Sequence, residues 1–200
     1  LSIILSFVRP MWMIYFIILF DIYWVLKVAN FAFYLILSWS RFRVTKKIDW
    51  KDKLHHDLDN WQDKHHVVFL TLYNEGWDVV DTAVKSVCEA VYDSQKFVIV
   101  VAGEAKMENH YHDILSRIQN KFGNCFGDIV GTLHPVGLSE EISGKGSNLN
   151  YSEKEIKKYI DKKGWDYSNI IATMFDIDTV CHSILCLPHL FILYTPKSNP

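Results

Sequence analysis

The sequence lacks an excess of charge of either sign: 21 lysines and arginines stand against 23 aspartates and glutamates, a formal net charge of −2. Without an overall basic field, nucleic acid is not an expected partner. No C-x-x-C pair occurs among the four cysteines, Cys88, Cys125, Cys181 and Cys186. With Cys88 among the apolar residues of an expected helix, this suggests reduced structural thiols and requires no oxidising compartment. A G-x-S-x-G elbow and a convincing Ser/His/Asp arrangement are both missing, which leaves acyl hydrolysis without support. The histidines at 55–56, 65–66 and 110–112 lack the spacing of zinc sites. Internal repeats and low-complexity tracts are also absent.

What is present is unevenly spread. Half of the residues are hydrophobic, but the first forty are lipid-like and the rest soluble-like. From Met11 to Trp39 the chain is apolar except for Asp21, Lys27, Asn30 and Ser38, and as a helix it would be roughly 43 Å long. That matches the full thickness of a bilayer with its headgroups. Trp12 and Tyr15 at one end and Tyr34 and Trp39 at the other suit the two interfaces. Arg41, Arg43, Lys46 and Lys47 follow, against only Arg9 before, so the downstream chain is expected on the cytoplasmic side. A cleavable signal peptide fits poorly, for want of a small-residue cleavage site. A buried helix of a soluble protein stays open, because Asp21 and Lys27 are costly at a membrane centre. In a membrane, Asp21 would face another helix and Lys27 would snorkel.

Residues 1–40 are therefore expected to be a transmembrane segment and 41–65 a charged connector. "LSIILSFV" ahead of Arg9 could end a preceding span. The chain opens inside an apolar run and stops at "TPKSNP", so it is expected to be an internal piece of a longer protein.

From residue 66 onward, strands alternate with helices. "HVVFLTL" (66–72), "KFVIVVAG" (96–103), "DIVGTLHP" (128–135) and "NIIATMF" (169–175) are short apolar runs. Helices are expected from Trp77 with Val80, Val84, Val87, Cys88 and Val91 on one face, around "YHDILSRIQNKF", and from Asn148 to Lys163 with Gly164 as the stop. The fold class is therefore α/β, with a mostly parallel sheet and flanking helices. Ligands of such sheets bind at the carboxyl ends of the strands. Those exits carry "TLYNE", "VAGEAK", "HPVG" and "DID".

In an extended segment Asp176 and Asp178 point the same way, with Ile177 packed behind them. Two such carboxylates repel unless a cation lies between them. Mg²⁺ or Mn²⁺ with a diphosphate fits, since Mg²⁺ is usually held by one or two carboxylates plus phosphates. Acids capping a following helix are the alternative. In "ISGKGSNLNYSEKE", Gly144 and Gly146 allow close backbone approach, Lys145 is a point charge and Asn148 begins a helix. The loop is not a Walker A motif. Asn74 and Glu75 could equally cap a helix.

In order, "VVFLTLYNE", "VIVV", "GKGSNLN" and "FDIDTV" resemble the blocks of family 2 glycosyltransferases with the GT-A fold, including membrane-embedded processive synthases of polysaccharides. "KGSNLN" is similar to their K-A-G-N-L-N block and "DIDT" to their D-A-D-T block, and the resemblance covers about residues 66–197. It implies a partial GT-A domain over 66–200, truncated at its C-terminal side, in an enzyme that moves a sugar from a nucleotide-diphosphate donor to an acceptor hydroxyl with inversion. Tyr73, Glu75, Lys145 and Asn148 would bind the nucleotide, and Asp176 and Asp178 would hold Mg²⁺ or Mn²⁺. A glycan or lipid-linked acceptor and the membrane are the other implied partners.

Two blocks depart from the family. Where V-D-D-G-S is usual, the chain reads "VVAGEAK", with Glu104 as the candidate substitute for the nucleotide-binding Asp. The catalytic base and the Q-x-x-R-W block are expected downstream of residue 200, so this stretch alone should be inactive. Two other readings compete. One is a degenerate, non-catalytic nucleotide-sugar module, and the other is a haloacid-dehalogenase-like phosphatase with Asp176 as nucleophile.

Overall fold

The computed structural model of the protein describes residues 9–57, 61–137 and 144–181. "LSIILSFV", Cys186 and the apolar stretch 182–200 lie outside them. Two compact units divide the chain, Leu1–Asp49 and Trp50–Pro200.

The first unit is built on one helix, α1 (Pro10–Thr45), 36 residues long and therefore about 54 Å from end to end. Pro10 suits its first turn, where a missing N–H costs nothing. None of its residues is buried, and it is long and apolar enough to cross a membrane. Aromatic side chains stack along it (Phe16 on Phe20, Phe20 against Trp24), and the Lys27 ammonium lies 5.6 Å from the Tyr23 ring. The helix runs six residues past Trp39, so Arg41 and Arg43 stand on its last turns.

In the second unit a short helix, α2 (Trp50–Asp57), and a 3-10 turn at Trp61–Asp63 occupy part of the stretch expected as a connector. Strands and helices then alternate: β1 (His65–Thr71), α3 (Trp77–Cys88), β2 (Phe97–Glu104), α4 (Glu108–Phe122), β3 (Asp128–His134), α5 (Lys145–Lys163) and β4 (Ile170–Asp176). The four strands form one sheet in the order β3-β2-β1-β4, and every pairing is parallel. The second unit is thus α/β, as its sequence pattern predicts.

Side-chain alternation explains the layering. Val68, Leu70, Ile99 and Val101 face the cluster formed with Val80, Val84, Ile114 and Ile118 of α3 and α4. Val67, Phe69, Val98 and Val100 point the other way, onto Ile156 and Ile160 of α5. Covered on both faces, β1 and β2 are continuous apolar runs. Burying each of their large side chains contributes roughly 1.5–3 kcal/mol. By contrast, β4 is only half covered, with Met174 53% exposed.

Three expectations are corrected. The helix after β1 ends at Cys88, so Val91 lies outside it and is exposed. The helix expected from Asn148 begins three residues earlier, at Lys145. Ser147 accounts for that earlier start: its hydroxyl accepts the Gly144 N–H (3.2 Å) and donates to the Gly144 carbonyl (2.8 Å), fastening the first turn. Gly164 closes the helix as expected, in the left-handed conformation at φ 67°.

The third correction concerns the thiols expected to be reduced. Cys88, at the end of α3, and Cys125, just after α4, form a disulfide with their Cα atoms 6.1 Å apart. The helices pack side by side, which brings together two cysteines 37 residues apart whose spacing carries no signal. Cys181 is buried and forms no disulfide among the described residues.

Candidate functional site

The strand order reverses beside β1: β2 and β3 extend the sheet to one side, β4 to the other. At such a switch point the connections leave in opposite directions and open a crevice beyond the carboxyl ends of the strands. A cleft of about 230 Å³ lies there, lined by Thr71, Leu72, Tyr73, Glu75, Glu104, Lys145, Asn148, Asp176, Ile177 and Asp178. All seven residues singled out in the sequence line this one cleft. They come from four segments, brought together by the parallel register that sets Thr71 opposite both Ala102 and Asp176.

Asp176 is the last residue of β4 and Asp178 lies just beyond it. The segment is not extended throughout, as the sequence suggested, but turns at once, with the Thr179 N–H donating to the Asp176 carbonyl at 2.9 Å. Ile177 is driven into the core, 1% exposed, and its burial leaves both neighbouring acids at the cleft. Lys145 forms an ion pair with Asp176 Oδ1. The Thr71 hydroxyl approaches the same oxygen at 3.5 Å.

Glu75 folds back so that its carboxylate accepts the Tyr73 N–H at 2.7 Å. It does not cap α3, whose N-cap is Gly76 without a side-chain bond. His110 of α4 fixes this loop through a 3.0 Å hydrogen bond between its Nε2 and the Glu75 carbonyl. Tyr73 is half exposed beside it. Glu104 ends β2 and occupies the third strand exit of the cleft. The fourth exit does not take part: His134 is buried against the Tyr151 ring, 5.4 Å away.

Asn148, in the first turn of α5, is 2% exposed and donates its Nδ2–H to the Ala102 carbonyl at 3.0 Å. Its Oδ1 is buried with no hydrogen-bond partner among the described residues. An unsatisfied amide oxygen of this kind costs about 1–3 kcal/mol, so a donor from a ligand or water is the expected complement. The N-terminus of α5 adds backbone N–H groups and the positive end of a 19-residue helix.

Of the described residues, four carboxylates and one ammonium line the cleft, a balance that favours cations. The oxygens of Asp176 and Asp178 are the hard donors Mg²⁺ and Mn²⁺ take. Among the described residues no group of three or more His, Cys, Asp or Glu is disposed to hold a metal ion. Two carboxylates suit a cation that completes its shell with phosphate and water.

A larger cavity, about 680 Å³, opens at the opposite ends of the strands between Lys51, Trp61, Tyr92 and Lys96. There the Tyr92 hydroxyl reaches the carbonyls of Trp61 and Lys64 at 2.8 and 2.7 Å, and Lys64 Nζ donates to Asn169 Oδ1 at 2.6 Å. The Lys64 bond ties the starts of β1 and β4 together and the Tyr92 bonds tie the segment before β2 to the start of β1, away from every residue singled out for chemistry. The paired histidines also serve packing: His65 stacks on Trp165 at 3.9 Å, and burial, with Lys96 nearby, lowers its pKa. His66 packs against Tyr92 and Phe97.

Thr71, inside the "TLYNE" exit, is a polar cleft residue to which the sequence assigned no role. A threonine ending an apolar run carries no chemical signal by itself, and only its register opposite Asp176 reveals it. No protein-family model matches the chain, and no curated protein matches it.

Proposed function

We propose that the second unit is the donor-binding part of a membrane-bound inverting glycosyltransferase that uses a nucleotide-diphosphate sugar. The observation that carries this reading is convergence: Tyr73, Glu75, Glu104, Lys145, Asn148, Asp176 and Asp178, spread over a hundred residues, line one cleft at the switch point of a parallel sheet. Glu104 stands at the exit of β2, so a carboxylate is present despite the altered "VVAGEAK" block, which favours a binding-competent site over a degenerate one.

In this reading Asp176 and Asp178 hold Mg²⁺ or Mn²⁺, which supplies charge neutralisation on the departing nucleoside diphosphate. Lys145 and the N-terminus of α5 bind and orient the phosphates. Tyr73 flanks the nucleoside, Glu75 and Glu104 accept its hydroxyl or amide hydrogens, and Asn148 Oδ1 accepts one more. The acceptor oxygen attacks the anomeric carbon as the bond to the diphosphate breaks, and its proton passes to a base that none of the described residues is assigned to be. The acceptor is a glycan or a lipid-linked glycan, and α1 keeps the unit at the membrane, on the cytoplasmic face.

The test is equilibrium binding of uridine and guanosine diphosphates to the full chain in detergent micelles. At least one should bind about tenfold or more tightly with Mn²⁺ than with EDTA, and Asp178→Asn should remove the difference. Equal binding in all three conditions would count against the metal-diphosphate site.

A further inference from the structure

Lys145, the single ammonium that the described residues bring to the cleft, already pairs with one of the two carboxylates offered to a metal. Lys145 Nζ is on Asp176 Oδ1, and Thr71 adds its hydroxyl to the same oxygen. The side-chain carboxylates of Asp178 and Glu104 accept no hydrogen bond and form no ion pair among the described residues. Lys145 is half exposed at the first position of α5, so its four-carbon stem can swing without disturbing the helix. The buried, unpartnered Asn148 Oδ1 in the same cleft is an independent sign that a ligand completes this site.

We propose that Lys145 couples metal and diphosphate: its ammonium holds Asp176 until both ligands arrive, then transfers to the phosphates. This rests on the reading of the cleft as a donor site. The physical case is a pair of complementary obstacles. A divalent cation cannot share Asp176 Oδ1 with an ammonium without like-charge repulsion, so metal binding must displace Lys145 and leave that cation without its partner. A diphosphate alone meets four carboxylates against one ammonium, and is repelled. Bound together, the metal neutralises Asp176 and Asp178 while the phosphates take the released ammonium. Each ligand removes the other's obstacle, and such coupling is reciprocal.

The probes are Mn²⁺, followed by electron paramagnetic resonance, and radiolabelled pyrophosphate, followed by equilibrium dialysis, with the full chain in detergent micelles. In the wild-type chain, pyrophosphate should raise protein-bound Mn²⁺ beyond the sum of separate bindings, corrected for the Mn²⁺–pyrophosphate complex in solution. Lys145→Met should change the two affinities in opposite directions, which a general loss of structure would not do. Mn²⁺ alone should bind about fivefold more tightly, and pyrophosphate at saturating Mn²⁺ about tenfold more weakly. Lys145→Arg, which keeps the charge, should leave the affinity for Mn²⁺ alone near that of the wild type. Unchanged or weaker Mn²⁺ binding in a folded Lys145→Met chain would overturn the proposal, as would independent binding of the two ligands to the wild type. Either result would leave the donor-site reading standing. Failure of the wild type to bind either probe would remove both.

Discussion

Tyr111 fills space that two glycines leave open. A Cβ at Gly103 would meet its ring and one at Gly131 would meet its hydroxyl, so the residue before Glu104 is glycine for a packing reason. Burial pushes the Tyr111 phenol up to about 12. Because the folded value lies above the ordinary 10, the folded state favours the neutral phenol. Its contribution to stability is full below about pH 10 and is lost as pH rises toward 12. Tyr159 is raised too, by burial and by its hydrogen bond to Asp128, so the wild type must be compared with Tyr111→Phe. Urea unfolding at about pH 9 and about pH 11 should show a larger loss of stability in the wild type than in the variant, whereas equal losses would refute the assignment. At this scale the charged and amide groups of the cleft were legible because their chemistry is unusual at a strand exit. Thr71 and the orphaned oxygen of Asn148 were not, since one depends on register and the other on burial.

Helix α1 carries a charge asymmetry at its two ends. Its last turns carry Arg41 and Arg43, with Lys46 and Lys47 just beyond, against Arg9 at its start; if α1 spans a membrane, this asymmetry predicts its basic end in the cytoplasm. A disulfide belongs to oxidising compartments, so the Cys88–Cys125 bridge weighs the other way. The two arguments make different predictions for the living cell. If the basic flank decides, acid-quenched cells treated with an alkylating reagent will show both cysteines modified, and the bridge will form only after isolation. Protection of the pair until a reductant is added would place the second unit on an oxidising side. Element positions were legible where burial imposes a period, as in β1, β2 and the apolar face of α5. The first turn of α5 was not, because Lys145 and Gly146 show no helical pattern and Ser147 closes the turn through backbone bonds.

For the molecule as a whole, topology turns scattered motifs into a site. The order β3-β2-β1-β4 puts the exits of β1, β2 and β4 side by side, and α5 returns its N-terminus to the same edge. Alternating apolar runs made a parallel sheet legible in advance, and the rule that such sheets bind ligands at their carboxyl ends pointed to the edge that the structure closes into a cleft. Spacing alone did not reveal the disulfide, the immediate turn after Asp176 or the exclusion of His134, because each depends on how helices and loops pack around the sheet. The central claim, that one metal-diphosphate site joins these segments, is tested most directly by paramagnetic broadening in amide spectra of the full chain in micelles, with Mn²⁺ and a nucleoside diphosphate added together. Broadening concentrated at Thr71–Glu75, Gly103–Glu104, Lys145–Asn148 and Asp176–Asp178 is the predicted result; broadening centred on the Lys51, Tyr92 and Lys96 cavity, or spread evenly over the second unit, would contradict it.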